Sequence, residues 1–327
     1  EFRRVLFRSS TTVGNQVAGN NFADILKLQA VKDSNGVCTG LFTGNVNVDL
    51  AQQNLSPSGT GGLSFTVNGS AIAKHSTFTP NVSLNFGSNS IATIPAPIYQ
   101  DAGQIQLHAR YNLGGVALSG NSNSFWVSPV KLVVTAKTSG GSDINNATSG
   151  AGATHKAGDS FVFEVKAVNA SGTPTPNYQS GQIQFLLDRT GPTASGSDGS
   201  FTYASAGGSN IISALSPSYQ NVTLESFSSG VSTFNAANYS EVGLLNLDLQ
   251  DSSYGGVGIT VSGDAINIGR FIPDHFTVTA SNGTFDDACG SFSYLGQSFS
   301  YGAASIPSIT LTAKNAASPA VTTGNYT

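Results

Sequence analysis

The sequence contains no methionine, two cysteines, one tryptophan and few charged residues. Asp, Glu, Lys and Arg make up only 10% of its 327 residues, and the formal net charge is −4 with 14 Lys and Arg in total. Nucleic-acid binding requires clustered cations that neutralise phosphates, and no such cluster follows the first eight residues. We therefore expect no nucleic acid and no anionic membrane surface among its partners.

Long apolar runs are absent as well. None reaches the roughly 18–20 residues that a membrane-spanning helix needs, so we expect no membrane span in this chain. Because the sequence has no initiator methionine and stops at Tyr326-Thr327 within a predicted strand, we expect it to be cut at both ends. Cys38 and Cys289 fall in different predicted modules, so we expect no disulfide between them, and each could pair with a cysteine outside the sequence.

What is abundant favours short strands joined by turns. The 38 glycines accompany many Ser, Thr and Asn residues, and hydrophobic residues reach 39%. Disorder requires low hydrophobicity with high net charge, and this composition has neither. Because domains cluster at about 100–150 residues, the length indicates two or more modules.

Three segments recur in the same order at nearly constant spacing, which indicates tandem repeats. They are AGNNF (18–22) with AGDSF (157–161), IYQDAGQIQL (98–107) with NYSEVGLLNL (238–247), and SPVKLVVTA (128–136) with IPDHFTVTA (272–280). A third copy begins near Gly269. Its segment LTAKNAASPAVTTGNYT, from Leu311, parallels VKAVNASGTPTPNYQSG from Val165 and LQAVKDSNGVCTGLFTG from Leu28.

Apolar and polar residues alternate in several segments, which is typical of strands with one buried face. The alternating apolar sets are Phe161/Phe163/Val165/Ala167, Ile105/Leu107/Ala109/Tyr111, Val46/Val48/Leu50, Ile183/Phe185/Leu187, Leu245/Leu247/Leu249 and Phe276/Val278/Ala280. Asn68-Gly69 predicts a hairpin turn, because both residues tolerate positive φ. No helical stripe is present. The sequence predicts an all-β chain of tandem immunoglobulin-like antiparallel β-sandwich modules.

The repeats also predict module limits. We expect immunoglobulin-like sandwiches over residues 13–127 and 128–268, and a truncated third β-module over 269–327. Residues 1–12 match nothing that follows and are predicted to be a non-native or disordered leader, with a short terminal strand as the alternative. Pro129 and Pro273 fall at the seams, where a fixed φ would stiffen the junction.

The histidines show no metal-ligand spacing such as HxxxH, and no CxxC exists. They are His75, His108, His155 and His275. We expect His108 to point outward from its strand into solvent. His275 lies beside Asp274, but the repeat has Lys131 at its position, so a strand role is favoured over catalysis.

The few close carboxylates also favour structural roles. Asp286-Asp287, or Asp248 with Asp251, provide fewer ligands than the about 6–8 oxygens that Ca²⁺ prefers, so solvated loops are favoured. Gly158-Asp159-Ser160 superficially resembles a hydrolase serine motif. The other copy has Gly19-Asn20-Asn21 at this point, which favours a turn.

Trp126 could stack on a sugar ring, but its position at the end of a module favours packing at the junction. No nucleophile elbow, phosphate loop or dinucleotide motif occurs. We therefore predict no catalytic residue, no cofactor, no metal site and no enzymatic activity.

Three C-terminal segments carry a resemblance to a known family. They are IGRFIPDHFTVTA (268–280), ACGSFSYLGQSFS (288–300) and LTAKNAASPAVTTGNYT (311–327). With YQDAGQIQLHARY and SFWVSP upstream, nearly all of 13–327 resembles the MSHA biogenesis protein MshQ family, from mannose-sensitive haemagglutinin type IV pilus loci of Gram-negative bacteria. One departure is Ser128, which stands where the family pattern has Arg before Pro.

The resemblance implies an exported protein at the bacterial cell surface, encoded with pilus genes. Its stacked sandwiches would extend or present other domains, with pilus or envelope proteins as partners and surface glycans bound through domains outside this sequence. Two alternatives stay open. One is a carbohydrate-binding β-sandwich, and the other is an accessory region of a secreted carbohydrate-active enzyme.

Overall fold

All regular secondary structure in the described part of the chain is β-strand. The computed structural model describes residues 5–9, 12–148, 154–191, 198–205, 208–213 and 218–326. The first fourteen strands are β1 (Val5–Ser9), β2 (Gln16–Val17), β3 (Lys27–Ser34), β4 (Val37–Gly40), β5 (Gly44–Ser56), β6 (Ser58–Gly59), β7 (Phe65–Val67), β8 (Ser70–Lys74), β9 (Thr79–Phe86), β10 (Ile91–Thr93), β11 (Ile98–Tyr99), β12 (Gly103–Leu113), β13 (Val116–Asn121) and β14 (Phe125–Ser128). The predicted all-β class is confirmed.

The remaining strands complete two further groups. They are β15 (Lys131–Thr138), β16 (His155–Lys156), β17 (Phe161–Val168), β18 (Ile183–Gly191), β19 (Ser200–Ser205), β20 (Gly208–Ser213), β21 (Gln220–Asn221), β22 (Val231–Tyr239), β23 (Gly243–Tyr254), β24 (Ile259–Ser262), β25 (Ile266–Ile272), β26 (His275–Ser281) and β27 (Ser308–Lys314). Sheet pairing separates module 1 (β1–β14), module 2 (β15–β25) and module 3 (β26 and β27).

Module 1 is one branched sheet with the strand order β1-β3-β10-β9-β5-β12-β14-β2, and β7, β8 and β11 join it through β5. Side chains of β3, near one end of this order, and of β14, near the other, belong to a single core, so the sheet closes around it. Phe22 lies at the point of closure, with its ring centroid 5.5 Å from that of Phe65 and 5.6 Å from that of Phe125. Asn68 and Gly69 have φ values of 49° and 77° and connect β7 to β8, as the hairpin prediction required.

Module 2 is a sandwich of two sheets. One has the order β15-β17-β22-β19-β20, and the other has the order β16-β25-β23-β18-β21 with β24 beside β23. The alternating residues of β17, β18 and β23 face each other across the core, and Phe163 contacts Phe185 with ring centroids 5.9 Å apart. The predicted inward set of β17 is fully buried, because it lies between the two sheets.

Module 3 contains one described sheet, the antiparallel pair β26–β27. Alternation in β26 predicted that Phe276 and Val278 belong to a core, yet they are 45% and 64% exposed. The corresponding Leu132 and Val134 of module 2 are 0% and 3% exposed. The prediction of burial is wrong for β26, because no described residues form a second sheet over this face.

The sheets can be placed against the predicted limits. Strand β25 runs across residues 268 and 269 and pairs with β23, so the change from module 2 to module 3 falls between Ile272 and His275. Within the leader, β1 pairs with β3, which corresponds to the alternative of a short terminal strand. Residues 1–4, 10 and 11 lie outside the described part. The division into modules at the predicted limits stays a prediction.

In the described residues we found no helix with the length and apolar character needed to cross a membrane.

Candidate functional site at the module joints

The four histidines lie at separate places, with one exception. His75 and His108 stack with ring centroids 4.3 Å apart, and the His108 Nε2 lies 2.8 Å from Gln53 Oε1. His108 therefore packs against a second imidazole, although the sequence predicted solvent. Burial and the neighbouring His75 both lower the pKa of His108.

His275 and Asp274 form an exposed contact between modules 2 and 3. The His275 Nδ1 lies 2.8 Å from Asp274 Oδ2, and Lys156 of β16 approaches Asp274 Oδ1 at 2.7 Å. Hydrogen bonds from Lys156 and His275 hold the pKa of Asp274 below its usual range. This arrangement is a surface ion pair, which contributes little free energy by itself.

The close carboxylates separate into different environments. Asp251 is fully buried, whereas Asp248 is half-buried and accepts a hydrogen bond from Tyr219. Asp286 and Asp287 lie in an exposed loop of module 3. Among the described residues, no three His, Cys, Asp or Glu side chains are grouped so that they could hold a metal ion.

The segment Gly158-Asp159-Ser160 and the two cysteines lie in a turn and at exposed positions, respectively. Gly158 has a φ of 76°, and Asp159 Oδ1 accepts the Ser160 amide, so Gly158-Asp159-Ser160 forms the turn before β17. Cys38 and Cys289 are both exposed and free.

Trp126 packs at the junction of modules 1 and 2. Its ring centroid lies 5.4 Å from that of Tyr254, which in turn stacks on Tyr178 at 5.5 Å. A Cβ at Gly255 would lie only 2.7 Å from the indole ring, so glycine permits this contact. Trp126 thus adopts the junction role that the sequence favoured over sugar binding.

The residues with the most specific mutual contacts form two joints. Joint 1 connects modules 1 and 2. Ala170 N donates to Ala18 O at 3.0 Å, Asn169 Nδ2 donates to Gln100 O at 2.9 Å, and Asn177 N donates to Asp101 Oδ1 at 3.0 Å. Each donor comes from the loop that follows β17, and each acceptor belongs to module 1.

Joint 2 connects modules 2 and 3 with the corresponding residues one repeat later. Ala316 N donates to Ala157 O at 2.8 Å, and Asn315 Nδ2 donates to Ser240 O at 3.1 Å. The Glu241 carboxylate accepts Gly324 N at 2.8 Å and Asn325 N at 3.3 Å. The same three kinds of contact therefore occur at both joints.

Local sequence explains why the acceptors are available. In both repeats the Gly after Ala18 or Ala157 has a positive φ, which turns the chain so that the alanine carbonyl faces the next module. A Cβ at Gly19 would lie 2.8 Å from Ala170 N, and one at Gly158 would lie 3.0 Å from Ala317 N. Glycine is therefore required for the close approach of the two backbones.

The asparagine that begins each loop makes hydrogen bonds both within the loop and to the preceding module. Asn169 Oδ1 accepts the amides of Ser171 and Thr173, while its Nδ2 reaches module 1. Asn315 Oδ1 likewise accepts amides within its own loop, from Ala317 and Val321. The amide group fixes the loop and at the same time binds the preceding module, because asparagine carries both donors and an acceptor.

The two carboxylates are buried between modules. Asp101 is 0% and Glu241 is 4% exposed. Burial raises the pKa of Asp101, against the lowering effect of N–H donors from Asn177, Leu63 and Ala102 and of the charge of Lys74. The pKa of Tyr99, whose hydroxyl accepts Asn177 Nδ2 at 3.2 Å, is raised by burial and by Asp101.

Joint 2 is less filled than joint 1. At joint 1, Tyr178 is 2% exposed because it packs on Tyr254, whereas the corresponding Tyr326 of module 3 is 52% exposed. A cavity of about 290 Å³ beside Tyr326 is also lined by Leu244 and Arg270.

Chemically, both joints present carbonyl and carboxylate acceptors to peptide and amide donors. The sequence predicted neither joint, although it identified the segments that contain both acids as a repeat. The usable signal was an acidic residue at the same place, Asp101 or Glu241, in both copies of a repeated segment, just before a strand with apolar residues on one face. A buried charge needs partners, so this position indicated an interface.

Comparison with known protein families identifies three successive domains in the chain. The family description "Domain of unknown function (DUF6701), first Ig-like domain" matches residues 1–124, and the second and third DUF6701 domains match residues 128–229 and 241–327. The third match begins before β23, so the strands β23–β25 of that segment complete the sandwich of module 2. We found no match among curated proteins.

Solved structures give distant similarities. The chain is similar to the C-terminal domain of the Streptococcus pyogenes antigen I/II-family protein AspA, with 12% identity, a TM-score of 0.27, and coverage of 82% of this chain and 99% of that one. The Streptococcus agalactiae antigen I/II polypeptide BspA C-terminal domain matches with 12% identity, a TM-score of 0.26, and coverage of 81% and 99%.

Alpha-2-macroglobulin from E. coli matches with 11% identity, a TM-score of 0.24, and coverage of 96% of this chain and 22% of that one. Similarities at this level carry no argument about function. The family matches, in contrast, show that the chain belongs to the DUF6701 family and consists of its first, second and third domains, in that order.

Proposed function

We propose that this chain is a structural, presenting region of a secreted bacterial surface protein. The observation that carries the proposal is the recurrence of one joint between successive modules. A flexible chain of modules needs no repeated hydrogen bonds at its junctions, whereas a spacer that holds a domain away from the cell needs a fixed angle at each junction. Buried polar contacts with fixed geometry supply that angle.

The proposed setting is the outer surface of a Gram-negative bacterium, in association with MSHA-type type IV pilus biogenesis or adhesion. The resemblance of residues 13–327 to the MshQ family supports this setting. In this proposal the chain performs no catalysis. Pilus or envelope proteins are its partners, and glycans are bound by domains outside the sequence.

The gene neighbourhood tests the setting. We expect pilin-like and pilus-assembly genes beside the full-length gene, and an export signal in its reading frame. A hydrolase domain in the same frame, without pilus genes nearby, would overturn the pilus association and favour an accessory region of a carbohydrate-active enzyme.

Solution scattering tests the structural part. For a fixed arrangement of modules, we expect small-angle X-ray scattering of the chain to fit a single conformation. The double variant N169A/N315A removes the side-chain bond at both joints and should require an ensemble of conformations. The variant S171A is the control, because the Ser171 hydroxyl contacts only its own loop. A wild-type curve that itself requires a broad ensemble would overturn the proposal.

A carbohydrate-binding function is the second candidate, and one observation favours it. Module 3 exposes an aromatic cluster in which Phe285 contacts Phe299 and stacks on Tyr301, with exposed fractions of 59%, 56% and 40%. Exposed aromatic faces can stack on sugar rings. Binding of the chain to a glycan array, lost in F285A and kept in N169A, would support this candidate over the structural one.

A further inference from the structure

The two joints use different acids against different loops. The loops of modules 2 and 3 align at Asn169 with Asn315 and at Asn177 with Asn325. In each loop, the threonine two positions before the second asparagine donates its amide and hydroxyl hydrogens to the carbonyl oxygen of the last inward alanine of the preceding strand. These pairs are Thr175 with Ala167 and Thr323 with Ala313. The residue between that threonine and the second asparagine is therefore equivalent in both loops.

This intervening residue is Pro176 in module 2 and Gly324 in module 3. Proline has no amide hydrogen, so the loop of module 2 presents one donor to the acid, from Asn177. Glycine keeps its amide, so the loop of module 3 presents two donors, from Gly324 and Asn325.

The number of amides that each acid accepts from the following module matches this difference. Asp101 Oδ2 accepts the amide of Leu63 in its own module, at 2.7 Å, and Oδ1 accepts both the amide of the adjacent Ala102, at 2.8 Å, and that of Asn177. Glu241 Oε1 accepts Gly324 N and Oε2 accepts Asn325 N, and Oε2 also accepts the amide of the adjacent Val242 in its own module, at 3.3 Å. The longer side chain reaches further into the following module.

Space around each acid supports the same matching. A Cβ at Gly62 would lie 2.2 Å from Asp101 Oδ2, so the backbone of module 1 closes directly over the shorter carboxylate. A Cβ at Gly199 would lie 2.8 Å from both the Cβ and the Cγ of Glu241. Gly199 therefore packs against the base of the Glu241 side chain, and the carboxylate extends past this contact. The carboxylate of Asp101 thus lies against the backbone of its own module, whereas that of Glu241 lies beyond Gly199 and reaches the loop of module 3.

We infer that each joint acid selects the loop of the module that follows it, by matching the number of acceptor positions that its own module leaves available to the number of amide donors of that loop, so that the order of the modules is encoded at the joints. The partner that each surface fits is another module of this kind. A module whose joint acid is aspartate fits a loop with Pro before its second Asn. A module whose joint acid is glutamate fits a loop with Gly at that position.

Selectivity follows from the cost of a mismatch. A Gly-Asn loop on the Asp101 end would bury one amide without an acceptor, and a Pro-Asn loop on the Glu241 end would leave one carboxylate oxygen without its donor. Both errors carry the desolvation cost of an unsatisfied buried group. The inference concerns the joints alone and does not depend on a pilus partner.

Hydrogen exchange of single amides, measured on the full chain, tests the inference. The variants are E241D, G324P and the double variant E241D/G324P, which gives joint 2 the acid and the loop residue of joint 1. The equivalent position of module 2 is already proline, so the loop accepts this residue. The probes are the Asn325 and Ala316 amides at joint 2.

For each single variant we expect exchange at Asn325 and Ala316 to become roughly tenfold faster, because a hydrogen bond to a charged group is lost. In the double variant, the second change should add less than its effect alone, because E241D has already withdrawn the acceptor from Gly324. Exchange at the Asn177 amide of joint 1 should stay unchanged in all three variants.

Strictly additive effects in the double variant would overturn the matching of acid and loop. So would unprotected exchange at Asn325 in the unchanged chain. The Val165 amide, in the core of module 2, reports whether a variant still folds. If the joint 2 variants lose protection at the Val165 amide, the variant P176G at joint 1 provides the test instead. P176G should accelerate exchange at the Asn177 amide, and slower or equal exchange would overturn the inference.

Discussion

Asp251 is a buried carboxylate whose removal should strongly destabilise module 2. It is fully buried and accepts hydrogen bonds from the Tyr178 hydroxyl at 2.8 Å, from Gly181 N at 2.8 Å and from Gln182 N at 2.9 Å. These three donors come from the segment that leads into β18. Asp251 therefore fixes the entry of that strand into the sandwich.

The cost of removing this acceptor can be worked out from its partners. D251A leaves these three donors and the Ser253 amide, at 3.2 Å, without their acceptor, and each such group costs about 1–3 kcal/mol where it is buried. Partial relaxation at the edge of the sheet reduces the sum. We expect D251A to lower the free energy of unfolding of module 2 by about 3–5 kcal/mol.

D251N keeps the shape and one acceptor oxygen but places an amide N–H group against the remaining donors, so we expect a loss of about 2 kcal/mol. The control is D264A, because Asp264 is 62% exposed and pairs only with the exposed Lys131. Such a surface ion pair is worth at most about 1 kcal/mol.

Urea unfolding followed by tryptophan fluorescence measures the effect. Trp126 is the single tryptophan, and it packs on Tyr254, which stacks on Tyr178, so its emission reports the region that Asp251 organises. A loss below about 1 kcal/mol for D251A would refute the argument, because a single unsatisfied buried donor already costs that much.

Three further variants test other parts of the structure. F163A should destabilise module 2 by about 3–5 kcal/mol in the same urea assay, because Phe163 is fully buried between the two sheets. N169A should accelerate hydrogen exchange at the Ala170 amide roughly tenfold while the Ala316 amide stays protected, because only joint 1 loses its side-chain bond. The pKa of His108 is lowered in the folded chain, so as the pH falls the imidazole becomes protonated in the unfolded chain at a higher pH than in the folded chain. The contribution of neutral His108 to folding stability should therefore be lost as the pH falls below about 6.5. H108Q should remove part of this pH dependence, and an unchanged dependence between pH 7.5 and 5.5 would contradict the assignment.

The strands of module 2 could be predicted because their pattern is local. In β17, and over residues 183–187 of β18 and 245–249 of β23, every second residue is apolar, and the corresponding side chains are buried in the structure. The turn at Asn68-Gly69 was predictable for the same reason, since two adjacent residues determine its φ values.

The joints could not be predicted, because each bond connects residues that are far apart in the sequence. Asp101 and Asn177 are 76 positions apart, and Glu241 and Asn325 are 84 apart. Alternation shows which side of a strand is apolar but does not show what covers it, which is why Phe276 and Val278 were predicted to be buried and are exposed.

The position of each donor loop has a consequence for the order of assembly. The acceptors at Ala18, Gln100 and Asp101 all precede β15, and their donors follow directly after β17. A chain made from its N-terminus therefore has a finished acceptor surface before the matching loop exists, and the loop is complete long before β23–β25 have been synthesised. We expect each new module to begin folding against its predecessor as a template, so that growth proceeds in one direction and a partly made module is held by its neighbour as soon as its donor loop has been made.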